Sequence, residues 1–171
     1  HEAMANPLIK GLLDKVEIGE IIPYIPPVPD TNLGDYYRLI VERFSNPEVA
    51  DTERRLCLDG SNRQPKFIVP SIRDALAAGG SVEGLALVSA MWCRYCYGET
   101  DSGTPIPPND PDWDQLVARS KAAKSRPAAW LEMTAVYGDL GSDARFAKAF
   151  ERHLNRLWAV GTKQTLTEFL A

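Results

Sequence analysis

Two arginines, Arg55 and Arg63, flank the turn-forming pair Asp59-Gly60 in this chain of 171 residues. A guanidinium is a rigid, always charged fork of donors. Two of them facing one hollow can grip the vicinal oxygens of a carboxylate, a phosphate or a polyhydroxylated chain. The competing reading is structural: Arg55 complements the carbonyl end of its helix, and Arg63 pairs with Asp59 on the surface. Either way, helices must present the two side chains. Asn46 is a good N-cap and Pro47 a good first residue, which predicts a helix over residues 47–58 with Gly60 just past its end. Ser61-Asn62-Arg63-Gln64 reads as a capping box that opens a second helix, and Pro70 as its stop. Arg55 then sits on the last turn of one helix and Arg63 on the first turn of the next.

The other reactive residue types point elsewhere. Cys93 and Cys96 spell Cys-x-x-Cys, but redox pairs of that kind open a helix, whereas these sit late in an apolar one. With Cys57 the cysteines number three. An odd count fits free thiols in a reducing compartment. Zinc would need further ligands from Cys57, His1, His153 or carboxylates that lack ligand spacing, so no metal is expected. His153 lies at the edge of an apolar stripe and reads as a packed structural histidine. A net charge of -4 and a pI near 5.2 argue against a nucleic-acid partner. No charge-free apolar run is long enough to span a membrane and no secretory leader opens the chain, so a cytoplasmic protein is expected. The chain starts at His1 with a helix close behind, as a piece of something longer would.

The remaining elements form a scaffold. Asn6-Pro7 starts a helix carrying Leu8, Leu12, Leu13 and Val16 and ending before Pro23. Pro23, Pro26, Pro27 and Pro29 force an extended strap. Asp30 or Thr31 caps a helix with Tyr36 or Tyr37, Ile40, Val41 and Phe44 on one face. Ser71-Ile72-Arg73-Asp74 opens another that closes at Gly79-Gly80. Residues 82–97 are apolar on nearly every side, as in a helix surrounded by neighbours, and Gly98 ends them. Residues 99–110 are loop by composition. Asp110-Pro111 caps a helix with Trp113, Leu116 and Val117 inward and Arg119, Lys121, Lys124 and Arg126 on a solvated face. After Pro127 a short helix takes Trp130, Leu131, Met133 and Val136 to Gly138. Ser142 caps a long helix with Phe146, Phe150, Leu154 and Leu157 in register, Gly161 ends it, and Leu166, Phe169 and Leu170 make a last apolar turn. Eight or nine helices without a strand pattern give an all-α, multi-helix single domain.

Several separated motifs carry a resemblance across essentially the whole chain. Arg43-Phe44-Ser45-Asn46-Pro47, Arg55, Asp59-Gly60-Ser61 and Pro65-Lys66-Phe67 come first. Ser71-Ile72-Arg73 and Ala90-Met91-Trp92-Cys93-Arg94-Tyr95 follow in order. The sequence closely resembles the C-terminal domain of the mannitol dehydrogenase family, long-chain polyol dehydrogenases that also include fructuronate and tagaturonate reductases. The resemblance implies that residues 1–171 form one helical substrate domain, similar to the C-terminal domain of 6-phosphogluconate dehydrogenase. That domain would pack on an N-terminal Rossmann domain outside this chain. It implies metal-independent hydride exchange between NAD or NADP and a sugar alcohol or ketose.

The family's acid/base lysine is followed five residues later by an asparagine and three further by a histidine. No lysine here has that spacing, and the dinucleotide fingerprint is absent, so this chain alone is expected to be inactive. Arg55 matches a family arginine that contacts the sugar alcohol. Arg63 sits where close members carry a substrate-contacting lysine, and a forked cation there would favour a uronate carboxylate over a neutral polyol. Lys66, Asn62 and Asp59 are second choices, read rather as supports for the arginines or as cap residues. Uronate reduction is the alternative within the family; a non-catalytic helical interaction module is the alternative outside it.

Overall fold

The chain's most apolar stretch lies at the middle of the molecule. In the computed structural model, which describes residues 2–49 and 52–171, Leu85, Ala86, Leu87, Ala90 and Cys93 have no exposed surface. They belong to α7 (Glu83–Tyr95), reached through α1 (Glu2–Ala5), α2 (Pro7–Val16), α3 (Leu33–Ser45), α4 (Glu53–Leu56), α5 (Gly60–Arg63) and α6 (Val69–Ala77). Beyond it come α8 (Trp113–Ala123), α9 (Ala128–Leu131), α10 (Thr134–Tyr137) and α11 (Ala144–Leu170). Among the described residues there is no strand, only an isolated bridge between Glu99 and Pro105. The protein is all-α. Among the described residues eleven α-helices replace the expected eight or nine, because five are single turns of four residues.

α11 packs along α7 with the expected stripe: Phe146, Phe150, Leu154 and Leu157 are buried. Trp130 lies edge-on to Trp92, ring centroids 4.8 Å apart. Its Nε1 donates to the Tyr137 hydroxyl at 3.0 Å, so both large side chains are buried with their polar ends satisfied. α2 crosses the start of α7, and buried Glu20, in the π-helical turn Glu17–Ile21 after α2, closes the α7 N-terminus. Its carboxylate accepts from Gly84 N and Leu85 N, each at 2.9 Å, and from Ser81 Oγ at 2.6 Å. These are donors that the first helical turn cannot satisfy itself.

Several expected boundaries move, some because another group takes the cap. Asn6 caps α2 through Leu8 N as expected, but the chain continues past Val16 through the π turn and a 3-10 turn that contains Pro23. Asn32, not Asp30 or Thr31, caps α3 by accepting from Asp35 N at 3.0 Å. Tyr37 is the one buried side chain of α3; Ile40 and Val41 are half-buried and Phe44 is exposed.

The helix over residues 47–58 does not form as read. Asn46 Oδ1 accepts from Glu48 N in a local turn, residues 50 and 51 lie outside the described residues, and the helix begins afresh behind Thr52. Pro70 does not stop its helix: α5 runs through a π turn (Gln64–Ile68) into α6, where Pro70 takes an early position whose N–H needs no partner. Ser71 is therefore inside a helix, its Oγ donating to Phe67 O. Gly79 and Gly80 do close α6. α8 starts at Trp113, and the helix after Pro127 splits at Met133. Asp143, not Ser142, caps α11, accepting from Arg145 N and Phe146 N. At Gly161 the backbone leaves the helical region (φ 81°), and Asp101 Oδ2 caps the second limb through Thr162 N at 2.6 Å.

Candidate functional site

Thr52 caps α4: its Oγ1 accepts from Arg55 N at 3.2 Å. Three residues then turn the chain, with Asp59 in the left-handed region (φ 62°), which a short polar side chain tolerates. α5 follows at once. The capping box expected at Ser61 is not made. Asp59 occupies the N-cap position, and Ser61 gives both its N and its Oγ to Asp110, at 2.8 and 2.7 Å. Across the turn, Arg63 Nη1 donates to Leu56 O at 3.4 Å, so the Arg63 head lies against the end of the helix that carries Arg55. Asn62, not Arg63, takes the Asp59 carboxylate, at 2.6 Å. Both arginines are exposed.

The corner is fastened to the body on two sides. A Cβ added at Gly60 would lie 2.5 Å from Trp92 Nε1, so only glycine lets the α5 backbone rest on that ring. On the other side stands the loop that precedes α8. Arg54 donates to Pro107 O at 3.3 Å and to Pro108 O at 2.8 Å, and Asn109 O accepts from Asp59 N at 3.1 Å. The sequence reading missed Arg54, Asn109 and Asp110 as parts of the corner. Asp110 does carry a local signal, a turn in which its Oδ1 accepts from Asp112 N at 3.0 Å. Its partner in Ser61 is 49 residues away and leaves no periodic trace.

The face around the arginines is open. Leu56, Leu58 and Phe67 are exposed beside them in the chain, and neither arginine lines the described grooves, such as one of about 550 Å³ along α11. Two exposed guanidinium groups can bind and orient an oxygen-rich ligand. The Asp59 and Asp110 carboxylates are already engaged, by Asn62 and Ser61.

The remaining candidates are structural. His153 is buried, its Nε2 is 3.0 Å from Glu83 Oε2, and its ring meets Phe169 edge-on at 5.6 Å. Burial, helped by the Arg152 charge and opposed by Glu83, pushes its pKa below the usual histidine value. Burial also raises the Cys93 thiol to about 12 and lifts Cys96 as well, the reverse of a reactive thiolate. Among the described residues no three His, Cys, Asp or Glu side chains gather where they could hold a metal.

The sequence profile of the mannitol dehydrogenase C-terminal domain matches residues 1–158. The chain belongs to this family. A mannitol 2-dehydrogenase of Cereibacter sphaeroides is 59% identical, covering 100% of this chain and 36% of its own length. The mannitol 2-dehydrogenase of Neosartorya fischeri is 34% identical, covering 99% of this chain and 34% of its own. Pseudomonas fluorescens mannitol 2-dehydrogenase, solved in ternary complex with NAD and D-mannitol, superposes with a TM-score of 0.93 at 32% identity, over 99% of this chain and 35% of that one. A D-sorbitol dehydrogenase in substrate-free form shares the fold, with a TM-score of 0.83 at 19% identity over 95% of this chain and 34% of its own. This mannitol dehydrogenase C-terminal domain therefore spans about a third of the length of the relatives it matches.

Proposed function

We propose that the chain is the substrate-gripping domain of a nicotinamide-dependent, metal-independent polyol dehydrogenase of the mannitol type, interconverting a sugar alcohol and a ketose. One observation carries this reading: the near-complete superposition on a protein solved with NAD and D-mannitol. Arg55 and Arg63 grip hydroxyl oxygens of the polyol remote from the reacting carbon. Such contacts hold the carbinol in line with the hydride acceptor, where a displacement of about 1 Å costs about a hundredfold in rate. No hydride step is assigned to this chain. No two of its glycines are separated by a single residue, so it offers no dinucleotide fingerprint, and it has no lysine in the family's acid/base spacing.

In this reading NAD or NADP and the acid/base lysine belong to an N-terminal Rossmann domain packed on this one, and residues 1–171 alone are inactive. Exposed Leu56, Leu58 and Phe67 beside the arginines support a face covered by that domain. The three free cysteines fit a cytoplasmic enzyme.

The test is steady-state kinetics of the full-length protein with mannitol and arabinitol, and with fructuronate and tagaturonate, using each nicotinamide. Oxidation of a polyol with uronates inert is the expected result. Uronate reduction without polyol oxidation overturns it, and absence of any hydride transfer would make the domain a non-catalytic module. Arg55→Ala is expected to lower kcat/KM for the polyol about a hundredfold with nucleotide affinity intact. An unchanged kcat/KM removes Arg55 from the site.

A further inference from the structure

We propose that Asp110 is a positioning residue for the polyol site: its carboxylate fixes the start of α5 and thereby the reach of Arg63. The proposal rests on the assignment of Arg63 to the substrate grip.

The first turn of a helix leaves its backbone N–H groups without partners inside the helix. α5 is the first turn of the helical stretch that runs on through the π turn into α6, and its N-cap position gives it no side-chain bond. Asp110 supplies what is missing from outside. Its Oδ2 accepts from Ser61 N at 2.8 Å and its Oδ1 from Ser61 Oγ at 2.7 Å, charge-assisted bonds at the positive end of the turn. Asp110 is itself held, because Oδ1 also accepts from Asp112 N where α8 begins. The neighbouring carbonyls of the same loop take Arg54 from α4 and Asp59 N from the bend.

The helices that carry Arg55 and Arg63 are thus both tied to residues 107–110. Directly between the two turns, Arg63 contributes a long bond to Leu56 O at 3.4 Å. Without Asp110, α5 keeps its place on Trp92 but loses the bond pair that sets its rotation. Arg63 then samples positions in which its fork no longer meets the substrate oxygens.

The experiment is a double-mutant cycle in the full-length enzyme, with D-mannitol and NAD varied in turn. Asp110→Ala is expected to raise KM for D-mannitol about tenfold, with KM for NAD within about twofold of wild type. Asp110→Asn, which keeps one acceptor, is expected to recover part of that loss. In an Arg63→Ala background, Asp110→Ala is expected to add nothing, because its effect passes through the guanidinium. A further tenfold rise in that background means that Asp110 acts independently, and overturns the proposal. If Arg63→Ala raises the D-mannitol KM and Asp110→Ala does not, the positioning role alone fails. If Arg63→Ala changes nothing, the grip assignment fails and this proposal with it. Should Asp110→Ala not fold, Ser61→Ala removes one of the two bonds and is expected to raise the same KM about threefold; an unchanged KM overturns the proposal.

Discussion

The two ends of the chain treat their apolar residues differently. From Val69 onward the helices close on one another: Ile72, Leu85, Leu87, Trp130, Tyr137, Phe146 and Phe150 are buried, and Val160 is the one large hydrophobic exposed among the described residues. Before residue 68 the other ten exposed large hydrophobics occur, among them Leu39 at 60% and Phe67 at 66%. α3 and α4 therefore carry apolar side chains that find little to cover them in this chain. The lesson concerns division of labour: the second part supplies cohesion, and the first presents a surface. The proposed substrate grip lies on the presenting part, where single-turn helices depend on ties to other elements.

The contrast can be broken by mutation. Phe150→Ala is expected to cost about 3–5 kcal/mol in urea unfolding of this chain, because it empties a site in the sealed core. A loss under about 1 kcal/mol would mean that the α7–α11 layer is looser than its burial implies. Glu20→Gln retains shape but turns an amide NH2 toward donors that need an acceptor at the α7 N-terminus. About 1–3 kcal/mol is expected, read by the same titration, and a neutral result removes Glu20 as the clasp between the two parts.

The third prediction concerns acid. Burial first, and the Arg152 charge after it, hold the folded His153 below its usual 6.5. The unfolded chain then takes up the proton first. Stability from this group is present above pH 6.5 and is lost as pH falls from there through the folded value. For Glu83, burial disfavours the charge, but bonds from Arg152 and His153 outweigh it and depress the pKa, so that contribution is lost only below pH 4.5. Melting temperature should fall on acidification from pH 6.5, and His153→Gln should flatten that slope; an equal slope in the variant sinks the assignment. The smallest effect is the sharpest contrast. Phe67→Ala, an aromatic deletion like that at Phe150, should change the stability of this chain by no more than about 0.5 kcal/mol. A larger loss means that the presenting face is already covered.

The all-α class and the core were legible because α7 and α11 are long and their periodicity is decided by burial within the chain. Phe146, Phe150, Leu154 and Leu157 fell on one stripe in the sequence and in the fold. The corner was legible in its residues and not in its geometry. Asn-Pro starts a helix at Asn6 but a turn at Asn46, since the same side-chain oxygen serves both motifs. Ser61 met the pattern of a capping box, yet a carboxylate 49 residues away took its donors. Local sequence specifies what a polar side chain can satisfy; the fold decides what is near enough to be satisfied. The family signature escaped this difficulty, because its motifs are matched by residue type and order.

The second limb of α11 has a consequence for how the domain is made. Lys15 Nζ donates to Phe169 O at 2.7 Å, and a Cβ at Gly11 would come within 2.9 Å of Leu170. The lysine and its acceptor are 154 residues apart. During translation α2 must therefore wait, its flank uncovered, until nearly the whole of this sequence has left the ribosome, and contacts of such separation slow folding. A nascent chain stalled before Thr162 would leave uncovered the flank of α2 that meets Phe169 and Leu170, a surface a chaperone would engage.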